Sequence, residues 1–162
     1  MKKVNTNGLE ELTWSSPSGK FAGAGKQVSE ALGRDPKSTD PFKCHPFDVE
    51  IQRIPPGKLP WPYHSHSHQW EFYHVITGSG YVRDDGGTTP IVQGDAFIFK
   101  PGEAHVVGND GDVDLILYMV ADNPFNETCY YPDSGKWALA IPGDTIVRAS
   151  SPQSLDYYDG EE

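Results

Sequence analysis

A chain of 162 residues is one domain's worth of polypeptide, enough to bury a core and too little for a sizeable second unit. Its 17 glycines, 14 prolines and 12% aromatic content argue against a helical bundle, because Gly and Pro interrupt helices and the composition suits many short strands. With 23 acidic residues against 13 basic ones, the net charge of −10 repels phosphate backbones, and no basic run offsets it, so nucleic acid is not an expected partner.

The first eight residues carry Lys2 and Lys3 but no apolar run behind them, so they do not read as a secretory signal. No apolar stretch reaches the roughly 20 residues that span a bilayer. The expected location is the cytoplasm, with no membrane partner. Cys44 and Cys129 stand far apart in no metal-ligand spacing, and in that reducing compartment they are expected to be free thiols.

Residues 1–40 are rich in Ser, Gly, Lys and Pro and lack sustained periodicity. They are expected to form an irregular extension that wraps a core, with at most one short helix, around Gln27 to Leu32, stopped by Gly33. The barrel domain is expected over 41–125. From Phe47 to Ile54 the chain alternates by twos and is then broken by Pro55-Pro56-Gly57, which predicts a strand and a turn.

Further strands are expected at Trp70–Thr77, Gly80–Arg83, Thr89–Val92, Ala96–Phe99, Ala104–Val107 and Val113–Val120, separated by turn residues such as Gly78, Gly94-Asp95 and Pro101-Gly102. Such spacing predicts an all-β sandwich or closed barrel. Gly78, Gly94 and Gly102 are read as turn formers with positive φ, and Trp61, Trp70, Phe97 and Phe99 as packing residues. Residues 126–162 are expected to pack tyrosines on the barrel and to end in an acidic tail, Leu155 to Glu162.

Five of the six histidines fall between positions 64 and 105. On an extended chain, residues i and i+2 share a face about 6.6 Å apart, close enough for two imidazoles to reach one ion at about 2.0–2.2 Å. His64 and His66 therefore suit a metal site if their segment is extended, as Pro60-Trp61-Pro62 favours. Glu71 lies at an odd offset from His66 and would face away on one unbroken strand, so a turn near Gln69 must intervene. His105, after the Pro101-Gly102 turn, is the candidate fourth ligand.

Tyr73 shares the face of Glu71 and so is a possible pocket residue, as is His68, which belongs at the rim or on the surface. His74 has the opposite parity and is expected outside the sheet.

Two stretches carry a resemblance. Gly57-x6-His64-x-His66-x4-Glu71-x6-Gly78 resembles the first motif of the cupin superfamily, and Gly94-x7-Gly102-x2-His105-x3-Asn109 resembles the second. One extra residue between Gly57 and His64, and Lys100 where proline is usual, depart from the pattern in turns and leave the ligands intact. Tyr131-Pro132-Asp133-Ser134-Gly135-Lys136 is similar to the tail of a group of small single-domain, cupin 2-like bacterial proteins.

The resemblance implies a double-stranded β-helix, the jelly-roll barrel of cupins, and one divalent transition ion (Fe, Mn, Ni or Zn) held by His64, His66, Glu71 and His105. It also implies a homodimer and a small-molecule ligand. The expected function is an enzyme acting on a small oxygenated metabolite, a sugar, sugar phosphate or organic acid, through isomerase, epimerase or decarboxylase chemistry. A metal-dependent dioxygenase and a non-catalytic binding module are the alternatives, and no catalytic residue beyond the ligand set is assigned.

Overall fold

Three strands make the central part of the larger sheet: β3 (Phe47–Ile54), β5 (Glu71–Thr77) and β10 (Leu115–Asp122). The computed structural model describes residues 1–125, 127–141 and 144–149, so the acidic tail expected at 155–162 lies outside the described residues. In β10, Leu115, Leu117, Met119 and Ala121 alternate inward, and in β5 Glu71, Tyr73 and Val75 do the same. β10 lies between the other two, antiparallel to both.

β3 turns a polar set inward. Glu50 and Gln52 share the face of Ile54, while Val49 is buried on the opposite face, where its amide donates to Ser29 Oγ at 2.7 Å. Gln52 is fully buried beside Leu117 of β10, and neither its amide nitrogen nor its oxygen has a partner.

Around these strands run β1 (Leu12–Ser15) and β2 (Ala22–Gln27) on one side and β8 (Ala96–Phe99) on the other, giving a six-stranded sheet ordered β1-β2-β3-β10-β5-β8. The opposing wall has two pieces. β6 (Ser79–Asp84), β7 (Gly87–Val92) and β9 (His105–Gly108) form one, in the order β7-β6-β9. β4 (Ser65–His66), β11 (Thr128–Tyr131), β12 (Lys136–Ile141) and β13 (Asp144–Ala149) form the other, in the order β13-β12-β11-β4. An antiparallel bridge between His64 and His105 joins the two pieces. Among the described residues every pairing between the named strands is antiparallel, and the fold is a double-stranded β-helix, as expected.

The core between the walls is built from Ile54, Tyr73, Val75, Val82, Ile91, Phe99, Val107, Leu115, Leu117 and Met119, with Trp61 and Phe97 against it. Trp70 departs from its expected packing role and is 46% exposed. Gly78, Gly94 and Gly102 all have positive φ, at 87°, 94° and 86°, as turn formers should.

The N-terminal stretch is more ordered than its composition suggests. β1 and β2 pair as a hairpin on the sheet edge, and Trp14 donates from Nε1 to the Pro60 carbonyl at 3.0 Å while stacking on Trp61. The helix expected near 27–32 is α1 (Val28–Ala31), followed by Gly33 with φ of 104°; a 3-10 turn at Thr6–Gly8 and a one-turn helix α2 (Pro41–Cys44) accompany it. Among the described residues no helix is long and apolar enough to cross a membrane.

Candidate metal centre

The local chain explains why the candidate ligands meet. β4 holds His66, the chain turns through 67–70, and β5 opens on Glu71, so the turn demanded by the odd His66–Glu71 offset is present. His64 and His105 exchange two backbone hydrogen bonds, His64 N–H to His105 O at 3.1 Å and His105 N–H to His64 O at 2.8 Å. That pairing sets the two rings side by side, their centroids 4.9 Å apart.

One donor atom from each of His64, His66 and Glu71 lies within 4.8 Å of the others. The Nε2 atoms of His64 and His66 are 3.1 Å apart, and His66 Nε2 is 3.5 Å from Glu71 Oε1. His105 joins through the other carboxylate oxygen, its Nε2 lying 2.7 Å from Glu71 Oε2. Ligands at right angles on an ion with bonds of about 2.1 Å are about 3 Å apart, so the separations among His64, His66 and Glu71 fit a shared cation, while His105 stands outside that group and meets it through Glu71.

The chemistry of the donor set fits as well. His64 Nδ1 faces the Pro62 carbonyl at 2.9 Å and His105 Nδ1 the Glu103 carbonyl at 3.0 Å, so both rings donate outward and turn Nε2 to the centre. Burial, with the charge of His66, pulls His64 down to about 4, which leaves it neutral near pH 7. Burial alone would raise the Glu71 carboxyl, but the hydrogen bond from His105 and the charges of His66, His105 and His64 outweigh it and hold the group at about 2. Two nitrogens in contact and a carboxylate, with His64 and Glu71 buried and His66 partly so, are the surroundings in which a cation replaces shared protons.

Of the two candidate pocket residues, Tyr73 is buried and donates from its hydroxyl to Glu71 Oε2 at 3.0 Å. His68 is on the surface, its side chain 65% exposed, and its ring Nδ1 meets Ser67 Oγ at 2.8 Å and Glu127 Oε2 at 3.9 Å. His74 points outward, as its parity requires.

Three residues of the C-terminal stretch, to which the sequence reading assigns no site role, border the centre. Glu127 and Cys129 flank His66 Nδ1, at 3.5 Å and 3.3 Å, and Tyr131 stacks on His64 with centroids 6.1 Å apart. Cys129 thus belongs to a possible donor cluster with His66 and Glu127, despite having no ligand spacing in sequence, and burial pushes its thiol up to about 12. Glu127, Cys129 and Tyr131 alternate by twos, so the parity test that groups His64 with His66 would have grouped them. Phe99 closes the other side, stacked on His105 at 3.8 Å.

Residues 50–121 match the protein family described as "Cupin domain". An oxalate-binding protein of Thermotoga maritima is 35% identical over 68 residues, which is 42% of this chain and 55% of that protein; the chain therefore spans about half the length of the curated relative it matches. Among solved structures, a sugar phosphate isomerase from a cupin superfamily of Silicibacter pomeroyi superposes with a TM-score of 0.78 at 22% identity, over 96% of this chain and 98% of that one. A predicted oxalate decarboxylase of Thermotoga maritima superposes at 0.62 with 22% identity, over 76% and 100%. At these identities the structural likenesses establish the fold.

Proposed function

We propose, from the match of residues 50–121 to the cupin domain, that His64, His66, Glu71 and His105 hold one divalent transition ion, Fe, Mn, Ni or Zn, and that the chain is an enzyme acting on a small oxygenated metabolite. The observation that carries the reading is the convergence of Nε2 and carboxylate donors whose outer ring nitrogens are already engaged. When bound, such an ion supplies Lewis-acid polarisation of a hydroxyl, carbonyl or carboxylate oxygen. Glu71 supplies the negative charge, with Tyr73 holding one of its oxygens by a hydrogen bond. Phe99 and Tyr131, on opposite sides, shield the rings of His105 and His64 from water.

Sugars, sugar phosphates and small organic acids are the substrate classes we favour, since the names of the structural neighbours include sugar phosphate isomerase and predicted oxalate decarboxylase. A second reading, a binding module without turnover, is supported by the oxalate-binding relative. Incubating the metal-loaded protein with a panel of sugar phosphates and with oxalate, under air and under nitrogen, separates them. Conversion of one compound supports the enzyme; retention of a bound compound that returns chemically unchanged overturns it in favour of the binder. Oxygen uptake would redirect the reading to a dioxygenase.

The proposal includes a homodimer in the cytoplasm. Phe72 of β5 and its cross-strand partner Ile98 of β8 are exposed on the outer face, with Ile76 on the same face of β5, and a second copy would cover this apolar strip.

A further inference from the structure

His66 differs from the other two histidines in what its outer nitrogen meets. His64 and His105 turn Nδ1 to backbone carbonyls, which only accept and so keep a proton on Nδ1. His66 turns Nδ1 to two side chains, Cys129 Sγ at 3.3 Å and Glu127 Oε1 at 3.5 Å. β11 runs antiparallel to β4 with Cys129 directly opposite His66, so the contact is built into the strand register.

The two neighbours make opposite demands. A carboxylate oxygen accepts, which keeps the proton on Nδ1 and leaves the Nε2 lone pair for the centre. A thiol can donate S–H to Nδ1, which moves the ring proton to Nε2 and removes that nitrogen as a ligand. Glu127 is only 8% exposed and is fixed in place: Oε1 accepts from Ser67 N–H at 2.7 Å and Ser67 Oγ at 3.2 Å, and Oε2 from His68 N–H at 3.1 Å. These donors belong to the two residues after His66, so the carboxylate is held in register with the ring it faces.

We propose that Glu127 is a positioning residue that holds His66 in its ligating tautomer against the competing thiol of Cys129. The inference rests on the metal-centre reading and extends it, because Glu127 and Cys129 lie beyond the matched segment 50–121.

Titration of the full chain with Co(II), followed by visible absorption, tests it on the wild type and on Glu127→Ala, Cys129→Ala and the double variant. Cys129→Ala is expected to bind within threefold of wild type, and Glu127→Ala about 10–100-fold more weakly, the usual effect of losing a partner of a ligating histidine. The double variant should regain a large part of that loss, a recovery that a purely structural role for Glu127 would not produce. If Glu127→Ala does not fold, Glu127→Gln keeps an acceptor for the 67–68 turn but offers Nδ1 an N–H donor, and should also bind at least about tenfold more weakly. Binding by the Glu127 variants within threefold of wild type, or a double variant as weak as Glu127→Ala, overturns the proposal. A wild-type chain that takes up no Co(II) would instead overturn the metal-centre reading, so the two failures are distinct.

Discussion

The hydroxyl of Tyr73 donates a 3.0 Å hydrogen bond to Oε2 of Glu71, the oxygen that also lies 2.7 Å from His105 Nε2. The two residues are i and i+2 on β5, so the pleat puts phenol and carboxylate on one face. Burial pushes the phenol well above its usual range, and the charge of Glu71 adds to the push, so Tyr73 remains a donor throughout the working pH range. One Glu71 oxygen is thereby restrained, while Oε1 faces His66 at 3.5 Å.

Replacing Tyr73 by Phe removes a buried hydrogen bond to a charged acceptor, which is worth about 1.5–3 kcal/mol. Urea denaturation of the metal-free variant should show a loss of that order. A midpoint equal to wild type would mean that Tyr73 is only a packing residue.

Glu50 predicts a pH dependence. Burial pushes its carboxyl from 4.5 up to about 7, the hydrogen bond from Gln27 opposes the push, and the charges of Asp48 and Glu30 add to it. The folded chain keeps a proton there that the unfolded chain releases, so stability falls as pH rises from 4.5 to 7, by up to about 3 kcal/mol. His64, lowered from 6.5 to about 4, acts in the opposite sense, its contribution being lost as pH falls through that window. Thermal melts of metal-free Glu50→Gln should therefore exceed wild type at pH 8 and retain only the acid-side loss between pH 6.5 and 4. Parallel curves for the two proteins would refute the assignment.

Gly78 has φ of 87°, and a Cβ there would stand 2.5 Å from the Asp114 carbonyl oxygen, a backbone atom that cannot rotate away. Gly78→Ala adds left-handed strain of about 1–2 kcal/mol to that collision, so the total loss should exceed about 2 kcal/mol. Gly57→Ala, with φ of 69° and nothing within 4 Å, carries the strain alone and is the comparison. Equal melting temperatures for the two variants would contradict this account.

The sequence revealed most where side chains alternate clearly. β8 falls at the expected Ala96–Phe99, and the parity of Glu71 alone required the turn that separates β4 from β5. β2 was hidden because its sequence, Ala-Gly-Ala-Gly-Lys-Gln, has almost no side-chain pattern. Its glycines leave space: a Cβ at Gly23 would run into the Trp14 ring, and one at Gly25 into the Glu50 carboxylate.

β3 shows a different limit. Its alternation was evident, but the buried side of the barrel takes Glu50 and Gln52, against the hydrophobic rule that would turn Val49 and Ile51 inward. Glu127 was missed because its role depends on a pairing of β11 with β4 across some sixty residues of chain, which no local pattern records.

Metal content is the direct test of the central claim. The full chain, purified without added metal, would be dialysed against trace Fe, Mn, Ni and Zn and analysed by plasma mass spectrometry, beside His64→Ala, His105→Ala and Glu71→Gln. One equivalent of a transition ion in the wild type, lost or sharply reduced in all three variants, is the predicted result. No uptake by the folded wild-type chain, or uptake that the three substitutions leave unchanged, would contradict the account.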